Sequence, residues 1–275
     1  MATTALSAAR CRQLDQLRSG NRRALAKIIT LIESTRPDHR EEAALVIQAL
    51  LPDTGNSIRL GISGVPGVGK STFIEALGLH VIDQNHKLAV LAIDPTSQRT
   101  GGSIMGDKTR MEQLSMNQSA YIRPSPTGGT LGGVAAQTRE AMLVCEAAGF
   151  DVIIVETVGV GQSETMVAGM VDCFSLLQLP NAGDDLQAIK KGIIELADII
   201  TINKADTDQT AVNLAVGQFK SGLHLLHPSA PGWTTPVIAC SALKKTGIDQ
   251  FWQQVVAFQQ HLNASDEFNL RRQRQ

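Results

Sequence analysis

Short runs of apolar, β-branched residues alternate with helical stretches from Ser57 onward. Strands that are buried on both faces of a parallel sheet have this continuous apolar pattern. We therefore expect an α/β fold, with a doubly wound, mainly parallel sheet flanked by helices. The seven predicted strands cover residues 58–63, 87–94, 120–123, 151–156, 171–179, 197–203 and 236–240, and the clearest helices cover 70–84, 133–148, 184–196, 209–227 and 248–261.

The first 51 residues have no strand pattern and are predicted to be helical. Leu25, Ile28, Ile29 and Ile32 recur at the spacing of one apolar face of a helix. We expect three regions: an N-terminal helical region over 1–55, the α/β domain over 56–265, and a C-terminal extension that begins over 266–275. The polar helical pattern of the last region continues to the final residue, so the natural chain is expected to extend further.

Composition indicates an ordinary globular protein. Of 275 residues, 43% are hydrophobic and 19% are charged, and 25 basic residues balance 26 acidic ones to give a net charge of −1. No overall field attracts nucleic acid or anionic lipid, so neither is an expected partner. The cysteines, Cys11, Cys145, Cys173 and Cys240, form no C-x-x-C pair, which argues against disulfides and a closed zinc site and suits the cytoplasm.

A glycine-rich segment between a predicted strand and a predicted helix has the spacing G-x-x-x-x-G-K-S. Backbone N–H groups of such a loop surround a phosphate chain, the helix start adds positive potential, Lys70 reaches the β and γ phosphates, and Ser71 binds Mg²⁺. The residues expected to contact nucleotide here are Gly64, Val65, Pro66, Gly67, Val68, Gly69, Lys70, Ser71 and Thr72.

Two carboxylates end strands that are expected to meet at the same edge of the sheet. Asp94 ends the second predicted strand, and Glu156 ends the fourth, with Gly159 three residues later. Such residues are suited to hold magnesium and its water ligands, while the Gly159 N–H can contact a γ-phosphate. Residues 100–110 form a polar, glycine-rich loop that is predicted to act as a switch.

Two further strand ends predict a guanine site. Asn203, Lys204 and Asp206 match N-K-x-D, and Ser241, Ala242 and Leu243 follow the last predicted strand. The Asp206 carboxylate can accept hydrogen bonds from the ring N–H and the amine of guanine, whereas adenine would leave that charge unpaired. Asn203 can tie this loop to the phosphate loop, and Ser241 and Ala242 can offer a backbone N–H to the guanine carbonyl.

With these motifs, the chain resembles the MeaB/ArgK family of P-loop GTPases, which includes the methylmalonic aciduria type A proteins. The similar strings include GISGVPGVGKSTFIEALG, AIDPTSQRTGGSIMGDKTRM, DVIIVETVGVGQSE, GDDLQAIKKGIIELADI and NKAD. The resemblance implies a GTP/GDP-binding, magnesium-dependent GTPase that assists an adenosylcobalamin-dependent acyl-CoA mutase in cofactor loading and protection, chiefly methylmalonyl-CoA mutase.

The resemblance also implies roles for particular residues. Asp94, Asp107 and Glu156 would surround the magnesium, and residues 180–191, with Asp184, Gln187 and Lys190, would form a switch that contacts the mutase. Members are homodimers that use a C-terminal arm, which this sequence does not include, so a homodimer is expected of the full-length chain. No tightly bound cobalamin is expected on this chain.

Hydrolysis is expected to be slow without a partner. Ras-like GTPases have a water-orienting Gln directly after the glycine that corresponds to Gly159, but Val160 stands here. Asp94 is the best candidate for that role. The sequence shows no evident arginine finger, and Arg99 and Arg110, which lie in the same loop, are the candidates to reach the γ-phosphate.

Two other functions use similar motifs. A nickel-inserting GTPase would need soft metal ligands, for which the candidates are His224 and His227 together with the separate cysteines. A kinase linked to arginine and ornithine transport would need a second substrate pocket, which the sequence does not reveal.

Overall fold

A computed structural model describes residues 5–93, 111–124, 131–157, 163–180 and 191–275. These residues contain one parallel sheet of seven strands in the spatial order β3-β2-β4-β1-β5-β6-β7. The predicted fold class is therefore confirmed. The strands are β1 (Ile58–Gly64), β2 (Leu88–Ile93), β3 (Ala120–Arg123), β4 (Val152–Thr157), β5 (Cys173–Gln178), β6 (Ile199–Ile202) and β7 (Val237–Ala239).

Helices cover both faces of the sheet. Those in the described residues are α1 (Ala8–Arg18), α2 (Arg22–Ile32), α3 (Pro37–Leu50), α4 (Lys70–Asp83), α5 (Glu112–Met116), α6 (Leu131–Ala147), α7 (Ser163–Ala168), α8 (Lys191–Leu196), α9 (Gln209–Leu223), α10 (Ile248–Ala264) and α11 (Glu267–Arg274).

Two hydrophobic cores lie on opposite faces of the sheet. One joins α1, α2 and α3 with α6, α7 and α9, and the predicted apolar face of α2 is buried in it through Leu25, Ile28, Ile29 and Ile32. The other joins α4, α5 and α10 through Phe73, Leu114, Phe251 and their neighbours. The N-terminal helices therefore share a core with the sheet. The domain bounds at residues 55 and 265 stay a prediction.

Several elements are shorter than predicted, and at two strands an aspartate side chain binds the backbone of the neighbouring strand just before the element begins. Asp172 accepts the N–H of Arg59, and Asp198 accepts that of Phe174, so each aspartate lies just before β5 or β6 rather than within it. The helix predicted over 209–227 ends at Leu223. Its C-cap is His224, so the expectation that His224 and His227 share a helix is wrong.

The strand order positions the carboxyl end of β1 at the centre of the sheet. Strand β1 lies between β4 and β5, while β2, the next strand in the chain, lies beyond β4. The strand order thus reverses at β1, and in open α/β sheets ligands bind at the carboxyl edge where this happens. The loops that follow β1, β4, β6 and β7 all leave from that edge.

At the opposite, amino-terminal edge, buried ions hold α11 against the sheet. Arg272 donates to both carboxylate oxygens of Asp172 at 2.6 Å, and Arg271 pairs with Asp198 at 3.2 Å. Glu146 of α6 pairs with Arg59 of β1 at 2.9 Å. Burial opposes ionisation of Glu146, but hydrogen bonds from Arg59 and Ser57 hold its pKa below the ordinary value. Glu146 is therefore ionised at neutral pH, whereas burial raises the pKa of Asp198 above its ordinary value.

Replacing Arg272 with alanine is expected to lower the free energy of unfolding by about 3 kcal/mol, since it removes one partner of an almost fully buried carboxylate. For a chain of this size the melting temperature should fall by about 6–12 °C in thermal denaturation. Arg274→Ala, at an exposed position of the same helix, is the matched control. Equal melting temperatures for the two variants would show that the ion pair does not stabilise the fold.

Candidate nucleotide site

The glycine-rich segment forms a tight loop between β1 and α4, as its spacing predicted. Two of its glycines have no room for a side chain. A Cβ on Gly64 would lie 2.5 Å from the carbonyl oxygen of Leu177, and one on Gly69 would lie 2.9 Å from the side-chain nitrogen of Asn203. Gly69 also has a φ of +94°, a left-handed conformation that favours glycine, and α4 begins at the next residue. The backbone therefore turns directly into the helix N-terminus.

Lys70 is the first residue of α4, and its ammonium group lies over the loop. Its Nζ donates a hydrogen bond to the carbonyl oxygen of Gly64 at 2.8 Å. The positive end of the α4 dipole lies at the same point, since the first N–H groups of a helix have no partner within the helix. A phosphate group at this point would meet a fixed cation and aligned N–H donors.

Ser71 and Glu156 bring two hard oxygen donors together beside the loop. Ser71 Oγ donates to Glu156 Oε1 at 3.4 Å, and Glu156 is only 4% exposed near the end of β4, the neighbour of β1 in the sheet. A hydroxyl and a carboxylate are the types of ligand that magnesium and its bound waters prefer. These residues therefore fit a magnesium ion.

The other residues predicted to act at the magnesium lie outside the described residues. They are Asp94 and Asp107, and Gly159, which was predicted to contact the γ-phosphate, also lies outside the described residues. The predicted partner switch, Asp184, Gln187 and Lys190, and the arginines Arg99 and Arg110 also lie outside them. Within the described ranges there is no cluster of three or more His, Cys, Asp or Glu residues that could hold a metal ion.

Asn203 joins the phosphate loop to the two loops of the predicted guanine site. Its side-chain amide is buried, and Nδ2 donates to the carbonyl oxygen of Val68 at 2.8 Å. Its Oδ1 accepts the backbone N–H of Ala242 at 3.1 Å. The tie that the sequence suggested between the base loop and the phosphate loop is therefore present, and it extends to the loop after β7.

Lys204 and Asp206 lie at the exposed surface of the same loop. Lys204 has a φ of +60°, and its Nζ donates to the carbonyl oxygen of Gly67 at 2.8 Å, so its alkyl stem lies along the phosphate loop. A hydrogen bond from the Ser241 hydroxyl holds the pKa of Asp206 below its ordinary value. The carboxylate is thus ionised at neutral pH and can accept hydrogen bonds from two adjacent donors.

The loop after β7 has a fixed shape that the sequence did not reveal. The backbones of Ser241 and Thr246 exchange two hydrogen bonds, and a Cβ on Gly247 would lie 2.6 Å from the carbonyl oxygen of Ala239. Thr246 therefore helps to shape this loop, which was not predicted from the sequence, although the Lys-Thr-Gly turn before α10 indicates it. Since Asn203 accepts the Ala242 N–H, a guanine carbonyl would have to share that hydrogen. Leu243, which follows, is 74% exposed.

The candidate ligands for a soft metal lie apart from one another. Cys145, Cys173 and Cys240 are buried free thiols on α6, on β5 and just after β7, and burial raises the pKa of Cys240 to about 12. His224 and His227 are exposed beyond α9. In the parts of the chain that the structure describes, no helix has both the length and the apolar character needed to cross a membrane.

Comparison with known proteins agrees with this site. Residues 25–275 match the family model described as methylmalonyl-CoA mutase-associated GTPase MeaB. A probable GTPase of Mycobacterium tuberculosis is 55% identical over 94% of this chain and 77% of its own length. GTPase ArgK of Escherichia coli is 51% identical over 94% of this chain and 79% of its own length. The mitochondrial methylmalonic aciduria type A homolog of mouse is 47% identical over 93% of this chain and 64% of its own length.

Solved structures share the fold of this chain. A crystal structure described as LAO/AO transport system kinase superposes with a TM-score of 0.84 at 42% identity, covering 98% of this chain and 82% of that one. HypB of Helicobacter pylori in complex with nickel has a TM-score of 0.57 at 19% identity, covering 79% and 93%, and shares the fold alone. Since the family model spans nearly the whole chain and its relatives are named GTPases, the chain belongs to the MeaB family and is a GTPase.

Proposed function

We propose that the loop from Gly64 to Thr72 binds the phosphates of GTP and GDP, with Lys70 at the β and γ phosphates. The observations that support this are the position of the Lys70 ammonium over the loop and the start of α4 at the same point. In related phosphate sites, such a lysine and the surrounding N–H groups stabilise the charge that develops during phosphoryl transfer.

Guanine binds, in this proposal, between the loops that follow β6 and β7. Asp206 accepts the ring N–H and the amine of the base, the Lys204 stem lies along the base plane, and the loop from Ser241 to Leu243 faces the guanine carbonyl. The carboxylate is suited to this role because the Ser241 hydroxyl favours its ionised form.

Ser71 and Glu156 hold magnesium with Asp94 and Asp107 in the proposed site. Magnesium, when bound, neutralises part of the phosphate charge. Glu156 contacts Ser71 and would orient water ligands, while the Gly159 N–H would face the γ-phosphate. Asp94 is proposed to orient the attacking water, because Val160 occupies the position at which Ras-like GTPases have glutamine.

The GTPase is further proposed to assist an adenosylcobalamin-dependent acyl-CoA mutase, most directly methylmalonyl-CoA mutase, in cofactor loading and protection. The single observation that carries this proposal is the match of residues 25–275 to a family named for its association with that mutase. Asp184, Gln187 and Lys190 are proposed to contact the mutase. We also propose that the full-length chain is a cytoplasmic homodimer, with no cobalamin bound tightly to this chain and no nucleic acid or membrane as partner.

A second candidate is a kinase of arginine or ornithine transport, because the solved structure that superposes at 0.84 has a transport-kinase name. Radiolabelled GTP separates the two: the GTPase gives inorganic phosphate at the same rate with and without arginine, whereas the kinase gives phosphoarginine. A nickel-inserting GTPase is less well supported, since HypB shares only the fold.

Binding of the cognate mutase is expected to raise GTP hydrolysis at least about tenfold, because ordering catalytic groups in this class of enzyme is worth about 10³–10⁵. The measurement is single-turnover hydrolysis of GTP with and without methylmalonyl-CoA mutase, on the wild type and on Asp94→Ala. A fast rate without the mutase, or an Asp94→Ala variant that responds fully to it, would contradict the proposed mechanism. Capture of the mutase with a non-hydrolysable GTP analogue tests the association itself.

A further inference from the structure

Two hydroxyl groups meet at the carboxyl edge of the sheet, between strands β1 and β4. Thr157 Oγ1 donates a hydrogen bond to Ser63 Oγ at 2.9 Å, and both side chains are fully buried. Ser63 directly precedes Gly64, where the phosphate loop begins, and Thr157 directly follows Glu156. The bond therefore joins the strand end that leads into the phosphate loop to the strand end that carries Glu156.

This hydrogen bond lies beyond the backbone pairing of the two strands. The paired residues of β1 and β4 end with Ile62 opposite Glu156. At the next position, Ser63 is paired through its backbone with β5, and Thr157 is paired with β2, so each strand end is held on its outer side. The Ser63–Thr157 bond thus joins β1 and β4 where the strand order reverses and their own backbone pairing has stopped.

The hydroxyl pair lies on the face of the sheet opposite to the proposed magnesium residues. Side chains alternate between the two faces along a strand. Glu156 contacts Ser71 on the α4 side, whereas Thr157, the next residue, is on the side where Val155 packs with α1, α2 and α3. Neither Ser63 nor Thr157 is therefore directed at an ion that Ser71 and Glu156 would hold.

We propose that Ser63 and Thr157 are positioning residues for magnesium, and that their hydrogen bond fixes the distance between the Ser71 hydroxyl and the Glu156 carboxylate. The inference rests on the proposed magnesium role of Ser71 and Glu156. Ser71 is placed by the loop that begins after Ser63, and Glu156 is placed by the end of β4. Magnesium requires a nearly ideal octahedral arrangement of its ligands, so a small separation of these two strand ends would weaken its binding.

Replacing Thr157 with valine keeps the branched shape of the side chain and removes the hydroxyl. The magnesium concentration that half-maximally slows release of fluorescent GDP should rise about three- to tenfold, the range expected for the loss of one hydrogen bond. Release in EDTA should change less than about twofold, because the phosphate loop itself is unaltered. The measurement is stopped-flow release of GDP over a magnesium titration, with single-turnover GTP hydrolysis as a second readout.

Two further variants separate a lost hydrogen bond from a general disturbance of the core. Thr157→Ser keeps the hydroxyl and should recover most of the magnesium response. Ser63→Ala removes the other partner and gives an independent test if Thr157→Val does not fold. The double variant, Ser63→Ala with Thr157→Val, should have about the same magnesium response as the weaker single variant, since both changes remove one shared bond.

Thr201→Val is the matched control. Thr201 is a fully buried threonine of β6 whose hydroxyl has no hydrogen-bond partner among the described residues. The same change there should leave the magnesium response unaltered. The inference would be overturned by a normal response in folded Thr157→Val, by an equal change in Thr201→Val, or by additive effects in the double variant. A normal response in Glu156→Gln would instead overturn the proposed magnesium site, so the two failures can be told apart.

Discussion

Lys70→Ala is expected to reduce the rate of GTP hydrolysis by about 10²- to 10³-fold, the cost typical of removing one preorganised charged or hydrogen-bonding group from a developing anion. The ammonium lies 2.8 Å from the Gly64 carbonyl oxygen at the start of α4. Its loss would remove positive charge where negative charge develops on the β and γ phosphates during transfer. The measurement is single-turnover hydrolysis at saturating GTP, together with nucleotide affinity.

Two companion variants make the Lys70 result specific. Lys70→Arg keeps the charge but replaces a compact ammonium with a planar fork, so it should also hydrolyse GTP poorly. Lys220→Ala, on the exposed surface of α9, should hydrolyse GTP normally. If folded Lys70→Ala retains near-normal turnover, the phosphate-site assignment is wrong.

Asp206→Asn is expected to weaken GTP binding by about 10²- to 10³-fold and to strengthen binding of xanthosine triphosphate at least about tenfold. The loss arises because the new amide presents an N–H₂ donor to the guanine amine and no longer carries charge. Xanthine has a carbonyl at that position, which can accept from the amide. Competition binding with GTP, xanthosine triphosphate and ATP measures the exchange of preference.

Asp208→Asn provides the same chemical change two residues away. Asp208 is the N-cap of α9 and accepts the N–H groups of Thr210 and Ala211, a role that asparagine fills equally well. GTP affinity should not change in that variant. Unchanged GTP affinity in a folded Asp206→Asn variant would mean that the base binds elsewhere.

The sequence was sufficient for the sheet and the nucleotide motifs because both depend on local patterns. Buried parallel strands are continuous apolar runs, and the segments around Lys70 and Asn203 have their functional residues at short, fixed spacings. The carboxyl-edge rule then placed these segments together. The predicted ends of the strands were less accurate than their positions. Side chains such as Asp172 and Asp198 bind the backbone just before a strand and so shift the residue at which it begins.

Contacts between distant residues outside the nucleotide motifs could not be predicted in this way. The Glu33–Arg123 pair joins residues 90 positions apart, and the Asp172–Arg272 pair joins residues 100 positions apart. The sequence around these residues does not single them out. Most charged residues form only exposed ion pairs, which contribute little to stability. The folded backbone alone determines which of them meet.

The ionic contacts of α11 have a consequence for how the protein is synthesised. Glu146, Asp172 and Asp198 leave the ribosome well before Arg271 and Arg272, which follow all seven strands of the described sheet in the chain. Until those arginines emerge, the amino-terminal edge of the sheet has three carboxylates and one guanidinium, that of Arg59, to balance them. Burying that excess of negative charge is unfavourable. The nascent chain must therefore wait for α11 before this edge can close, and an interruption of translation before residue 271 would leave the edge hydrated and open to proteases.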